Sequence, residues 1–475
     1  MLCHHSCLAH VSGAPPRGAR KIYIAMARPW LVLLLALLTS VGLAGATWED
    51  DLDWQLRVAK ASPPWVHLLG AIPQLARPLR FSCPCIGISG CGHALMEMGV
   101  QAEIHDVFDL QPRYEKFLKE HLISMGMEPS KIKLNLGKQS GDLLQVPFSR
   151  LTSPMDFLVA GPPCPSFSIG GTRGGIDDIR GYVFVRVLQW ALWYIKFAGL
   201  LGVILENVVG ITHKVNGATK PIMDVFLAIL RREAPEFHWQ VDTLQAREYQ
   251  LPQARVRVFL RGVRKSLCPT MPQVLPPLGG CYLKKILAKL PNTARADLTV
   301  QQRQNLTYYE KMIKKDHRDG WLENSDIVAF NVDRSPQRVF AANYTANMFP
   351  TITCHTIYLF AASVKDVVND VPDHLRKHYR HPSLAELFQA QGFPADTIMK
   401  LPKGIQKFAC GNAYPPQLIA ATLLPALRTI RPGDLRTRAR PSSEDDLLRV
   451  QNLPTYIKNA AKATQPARKR RHEAD

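Results

Sequence analysis

Five short apolar runs, spaced by helical patterns, set the tightest limit on how this chain can fold. They lie at Leu79–Cys83, Ala102–Val107, Asp156–Ala160, Leu201–Leu205 and Val256–Arg261. Between them, segments such as Tyr114–Gly126 and Tyr182–Ala198 repeat apolar residues every three or four positions, the period of a half-buried helix. Strands alternating with helices imply a parallel sheet, because a parallel pair needs a crossover long enough to hold a helix. Helices then cover both faces, and ligands bind at the carboxyl ends of the strands. The expected fold is α/β, with chemistry in the segments that directly follow the runs.

The chain has 475 residues and 46% apolar content, enough for two or three domains with sizeable cores. The alternating pattern predicts one domain over 79–264. From about Ser266 to Lys377 the periodicity is lost, which predicts a smaller irregular domain with bounds near 265–395. Order returns in "LAELFQAQGFP" and "GNAYPPQLIAATLLPAL", so residues 396–430 are expected to rejoin the sheet domain. Residues 431–475, rich in arginine, serine and proline, are expected to be a disordered basic tail.

At the other end, Arg28, the run Leu31–Leu38 and Ala44-Gly45-Ala46 resemble a secretory or organelle-import signal over 1–46. Met26 offers an alternative start, and residues 47–78 read as an extension. The apolar run is short for a membrane span, so no stable span is expected. "ARKRRHE", from Ala467, is a basic cluster of nuclear-import type, and nuclear residence is expected from it with the organelle or secretory route as the alternative.

Lys and Arg number 59 against 39 Asp and Glu, a net charge of +20, which favours a polyanionic partner such as nucleic acid. The ten cysteines form no repeated CxxC pairs, so reduced thiols are expected in preference to a metal site or a disulfide framework.

One of those cysteines stands apart. Cys164 follows the run "DFLVA" through Gly161-Pro162-Pro163, a stiff turn that would hold its side chain at the sheet edge. A lone cysteine is most often structural, yet this one precedes "PSFSIGGTRGGIDDIRG", a polar glycine-rich stretch that packing alone does not require. Glu206 and Asn207 end another run, where a carboxyl in a dry pocket can donate a proton, or else merely cap a helix. Gln253, Arg255 and Arg257 alternate and so share one face. Two guanidinium groups near a thiol favour its anion and can bind a carbonyl, although such alternation also occurs on solvated edges.

Taken in order, proline-proline-cysteine, glutamate-asparagine-valine, glutamine-x-arginine-x-arginine, "QGFP" and "GNAYP" resemble the cytosine-5 DNA methyltransferase family over residues 79–427, the irregular domain excepted. The resemblance implies a Rossmann-like S-adenosylmethionine-dependent sheet domain over 79–264 and a target-recognition domain over 265–395. It implies that Cys164 adds to carbon 6 of a flipped cytosine, that Glu206 steadies ring nitrogen 3, and that Arg255 and Arg257 support the pocket and the base carbonyl. The stretch after Cys164 resembles the family's substrate-closing loop. Double-stranded DNA is the implied partner, met by a monomer without a metal.

For the implied cofactor, S-adenosylmethionine, the resemblance points to Asp109 on the ribose hydroxyls, with Asp106 next in line, and to Asp142 on the adenine amino group. Asn412 is expected to touch the cofactor, and Pro162 and Val183 to line its pocket. The first glycine-rich turn departs from the family pattern. Placing Gly87 and Gly90 on the family glycines puts Cys83 and Cys85 where aspartate and phenylalanine belong; matching Phe81 and Ser82 instead requires an insertion. Pro165 replaces the glutamine usual after the nucleophile. Two other readings stand beside the DNA methyltransferase: a tRNA-directed enzyme of the same fold, and a non-catalytic DNA-binding relative. Tyr308, Tyr309, Lys311, Lys314 and Lys315 are candidate DNA contacts in the irregular domain.

Overall fold

The computed structural model describes residues 75–168, 171, 174–214, 218–280, 283, 286, 299–332, 344–354, 359–369, 382–435 and 443–463. The signal-like segment, the extension up to residue 74 and the basic cluster at Ala467 lie outside the described residues, as does part of the loop after Cys164. The strands are β1 (Leu79–Pro84), β2 (Ala102–Asp109), β3 (Leu134–Leu136), β4 (Phe157–Ala160), β5 (Gly202–Asn207), β6 (Phe237–Gln245), β7 (Gln253–Ala254) and β8 (Val256–Arg264). All but β7 form one sheet in the order β3-β2-β1-β4-β5-β8-β6.

Pairing from β3 through β5 is parallel, as the alternation predicts. β8 departs from the expected parallel sheet, running antiparallel to both β5 and β6. Only residues 246–255 connect β6 to β8, too few for a helical crossover, so an antiparallel pair is the arrangement the chain can close. The strand order reverses between β1 and β4, which makes the crevice above those two strands the topological switch point.

Two layers of helices bury the sheet, each with its own apolar cluster. One layer contains α1 (Gly90–Glu97) and α2 (Glu115–Ser124). The other contains α3 (Ile179–Trp193) and α4 (Ile222–Glu233). Asp178 accepts a hydrogen bond from the Arg180 N–H and so caps α3, which explains one of the paired aspartates after Cys164.

Beyond β8 the chain is more regular than its composition shows. α5 (Val300–Arg318) opens with a capping box between Thr299 and Gln302. It packs on a sheet of β9 (Ile327–Asn331), β10 (Thr345–Ala346) and β12 (Leu359–Ser363), with α6 (Val364–Val368) following. Their common core contains Tyr309, Ile313, Val328, Phe330 and Val364. Tyr309 is therefore an interior residue and not a DNA contact, whereas Tyr308 on the next face of α5 is exposed. Leu267, Leu275, Phe349, Ile352 and Phe388 belong to the main core, so the separate core is narrower than 265–395.

The last elements are α7 (Leu384–Ala390), α8 (Gln406–Asn412), α9 (Pro416–Leu427) and α10 (Glu444–Ala463). α9 packs against α1 on the first face. α10 corrects the expectation of a disordered tail: Val450, Leu453 and Ile457 form a buried stripe at helical spacing against α3 and α4. The Gln189 side-chain amide donates to the Val450 carbonyl at 3.0 Å, and the Arg232 guanidinium lies 5.1 Å from the Tyr456 ring centre. Among the described residues no helix is long and apolar enough to cross a membrane, and no group of three metal-ligating side chains occurs.

Two predictions follow from these cores. Leu453→Ala should lower the unfolding free energy by about 2–4 kcal/mol in urea titrations, since Leu453 is fully buried. In the first helical layer, the buried rings of His93 and His121 stack at 4.2 Å. Burial, reinforced by the Lys400 charge, pulls His121 down to about 4. Burial, the charge of His121 and then Lys400 pull His93 well below the ordinary imidazole value. The fold thus favours neutral rings, so their contribution is complete above about pH 6.5 and declines as pH falls towards 4. His121 alone is expected to account for about 3 kcal/mol across that span, and thermal melts of His121→Phe should be less acid-sensitive than those of the parent.

Candidate active site

The Pro-Pro-Cys turn leaves β4 at Ala160 and reaches Cys164, whose carbonyl accepts the N–H groups of Phe167 and Ser168, both at 3.0 Å. The thiol is half-buried. β5 runs beside β4 and delivers Glu206 and Asn207 to the same edge. Asn207 braces the turn: its side-chain N–H donates to the Pro162 carbonyl at 3.2 Å and its side-chain oxygen accepts the Val208 N–H at 2.9 Å. Sequence reasoning placed Asn207 at this edge without finding this role, which depends on β4 and β5 being neighbours.

Arg257 on β8 approaches from the antiparallel side. Its Nε lies 2.8 Å from Glu206 Oε1, and both side chains are largely buried. Arg255 is fully interior and donates to the Ile352 carbonyl at 3.1 Å and to the Ala413 carbonyl at 2.8 Å. Cys164, Glu206, Arg255 and Arg257 are thus brought together, close enough for the last three to act on the thiol electrostatically. Burial raises the thiol above its ordinary range; Arg257 pulls it down, Glu206 pushes it up and Arg255 pulls it down. The two arginines act in the expected direction, but burial outweighs them.

A pair of buried glutamines joins distant parts of the chain behind this cluster. Gln253 donates to the Gln391 side chain at 2.9 Å and to the Ala390 carbonyl at 3.1 Å, and accepts the Ile352 N–H at 3.0 Å. Gln391 donates onward to the Cys410 carbonyl at 2.7 Å. The glutamine of the "QGFP" motif is therefore a brace between the site and α8.

Asp109 ends β2 and closes the glycine-rich turn by accepting the Gly87 N–H, and it also accepts the Gln111 N–H, both at 2.9 Å. Burial raises its carboxyl, while these two hydrogen bonds pull it down. Leu110 beside it is 57% exposed. Asp142 accepts the Leu144 N–H at 3.1 Å and the Gln145 side-chain N–H at 2.9 Å. Asp106 is engaged elsewhere, accepting from the Thr152 N–H and hydroxyl and from the Tyr194 hydroxyl, so Asp109 is the acid available at the end of β2. Pro162 is buried in the turn, Val183 is half-buried against the α3-side core, and Asn412 is exposed at the end of α8.

A family model for C-5 cytosine-specific DNA methylases matches residues 132–424, which includes Cys164, Glu206, Arg255 and Arg257. The chain belongs to this family. It is 32% identical over 169 residues to the type II methyltransferase M.NgoBV of Neisseria gonorrhoeae, covering 31% of this chain and 39% of that one. It is 34% identical over 111 residues to the type II methyltransferase M.HpaII of Haemophilus parainfluenzae, covering 23% and 29% respectively. The chain thus spans well under half the length of these curated relatives. The structure of the Entamoeba histolytica methyltransferase EhMeth aligns over 74% of this chain and 98% of its own, at 13% identity and a TM-score of 0.44.

The family implies S-adenosylmethionine, and the described residues fit it unequally. Asp109 and Asp142 lie where strands β2 and β3 end or have just ended, and each carboxylate oxygen retains capacity for another donor. These are the acceptors that the hydroxyl and amino groups of an adenosine would need. A methyl donor must also extend towards Cys164 and Glu206, across the β1–β4 crevice, and there the side chain of Tyr414 stands in the way. A Cβ placed on Gly90 would lie 2.8 Å from the Tyr414 ring, and one on Gly161 2.7 Å from its other edge. The ring of Tyr414 occupies the space these glycines leave.

The electrostatics of Cys164 are open to direct measurement. Its alkylation by iodoacetamide, followed by peptide mass spectrometry, should accelerate with pH and reach half its limiting rate above the midpoint of a free thiol. Arg257→Ala should move that midpoint higher and Glu206→Gln lower; unchanged midpoints would show that neither charge acts on the thiol.

Proposed function

We propose that this protein methylates carbon 5 of cytosine in double-stranded DNA through a covalent bond from Cys164. The observation that carries the reading is the convergence of a turn-held thiol with the buried Glu206–Arg257 pair at the carboxyl edge of the sheet. Carbon 5 of cytosine is a weak nucleophile. Addition of the Cys164 thiolate to carbon 6 pushes electrons onto the ring, with Glu206 supporting the proton at ring nitrogen 3, and leaves carbon 5 as an enamine carbon. Arg257 holds Glu206 in place and offers N–H groups to the base carbonyl. Arg255 fixes the backbone around the pocket. Once carbon 5 has formed its bond to the methyl group, loss of the proton it still carries restores the double bond and expels the thiolate. S-adenosylmethionine, when bound, supplies the methyl group as an electrophile.

The raised thiol sets a requirement on this chemistry. Cys164 is largely protonated before substrate arrives, so its proton must leave as the base enters. A target inside a duplex must be flipped out, at a cost of a few kcal/mol that contacts with DNA offset. The net charge of +20 and the exposed Tyr308 and Lys311 of α5 support DNA as the partner. We read the protein as acting as a monomer, with the Ala467 cluster directing it to the nucleus. The occupied crevice favours one second reading, a DNA-binding relative that no longer transfers methyl groups.

The test is a duplex carrying 5-fluorocytosine, incubated with the protein and S-adenosylmethionine and run on a denaturing gel. A cofactor-dependent covalent band is expected, and Cys164→Ser should abolish it. Absence of the band alongside retained DNA binding would favour the non-catalytic reading.

A further inference from the structure

We infer that Tyr414 is a wedge that closes the donor crevice, and that the methionyl end of the cofactor enters only when this ring swings out. The inference rests on reading the β1–β4 edge as a methyl-donor site. Its basis is where the ring lies. Gly90 opens α1 just after β1, and Gly161 directly follows β4, so the two flank the switch point. A Cβ on Gly90 would meet the Tyr414 carbonyl oxygen, nearest of all, and its Cδ2 and Cε2 at 2.8 and 2.9 Å; one on Gly161 would meet Cδ1 and Cε1 at 2.7 and 3.1 Å. Opposite edges of one ring are thus held between the loops that would have to straddle a ligand. Glu206 Oε2 lies 3.4 Å from the same position on Gly161, which makes the ring a neighbour of the carboxylate expected to meet the base.

Two further features distinguish a wedge from an ordinary core residue. Tyr414 is only 4% exposed, yet the polar group that meets its hydroxyl is the Cys91 N–H in the first turn of α1, which lies outside good hydrogen-bond geometry. A buried hydroxyl so poorly satisfied disfavours the state that buries it, so the inward rotamer is held mainly by packing. The backbone, by contrast, is fixed. Arg255 holds the Ala413 carbonyl at 2.8 Å on one side, and Pro415 and Pro416 follow on the other. Movement is therefore confined to side-chain rotation, with α8 and α9 staying in place.

A site whose competent form is a minor population binds its ligand more weakly by that fraction. Removing the ring should remove the penalty for a ligand that reaches into the crevice, and should leave unchanged a ligand that stops at Asp109 and Asp142. Isothermal titration of the full chain with S-adenosylhomocysteine and, separately, with adenosine reads both. Tyr414→Ala and Tyr414→Val should bind S-adenosylhomocysteine at least tenfold more tightly than the parent, with adenosine affinity unchanged within twofold, and Tyr414→Phe, which keeps the ring and loses the unsatisfied hydroxyl, should bind it no more tightly than the parent. Circular dichroism melts identify any variant that has lost its fold, and the two smaller side chains provide independent readings. Equal S-adenosylhomocysteine affinity in parent and both variants would overturn the wedge and leave the donor-site reading standing. Folded proteins that bind neither compound in any variant would overturn both.

Discussion

The guanidinium of Arg255 is the interaction on which the site depends. A buried positive charge has to be met by oxygen acceptors, and Arg255 finds two in parts of the chain far apart in sequence, the carbonyls of Ile352 and Ala413. One lies just past β11 (Phe349–Pro350), which pairs with β7, and the other at the entry to α9. The late chain is thereby tied to the strand that carries Arg257. Without that tie, neither the crevice nor the residue filling it would have a fixed position. The Gln253–Gln391 pair repeats the device with neutral groups and extends it to α8.

Around this frame the charges are arranged to favour a reaction over a resting anion. Arg257 could have been directed at the thiol, but its Nε lies against Glu206. The positive field reaching Cys164 is diluted by that carboxylate and exceeded by burial, so the thiol remains protonated. A protonated thiol is less exposed to oxidation and alkylation. A buried ion pair is also costly to break, because either partner left alone is an uncompensated charge. The pair thus keeps its geometry in the resting protein.

How far the sequence reveals this arrangement depends on the range of the forces involved. The five runs became β1, β2, β4, β5 and β8, because their patterning is local. β6 was missed although "FHWQVDTLQ" alternates for several residues, and β3 is too short to stand out. The α10 stripe is carried by Val450, Leu453 and Ile457 alone, and the surrounding charge and Pro454 conceal it. Cys164, Glu206, Arg255 and Arg257 were legible because each follows or occupies a strand at one sheet edge. The braces at Asn207 and Gln391 were not, since a hydrogen bond across 45 or 138 positions has no local signature.

The glycine-rich turn shows why sequence departure and structural departure must be separated. Cys85 and Ser89 both adopt positive φ, 56° and 58°, a region costing a side-chain-bearing residue about 1–2 kcal/mol. The chain accepts that strain and keeps a tight turn, closed by the Asp109 carboxylate on the Gly87 N–H. The turn is therefore tight although its residues are unusual. What the turn presents is a half-buried Cys85 thiol that burial and then the Asp109 charge push up. A second feature lies at the switch point, where the ring of Tyr414 is held between Gly90 and Gly161. If Tyr414 is the wedge we infer, cofactor affinity depends less on the altered turn than on where its side chain points.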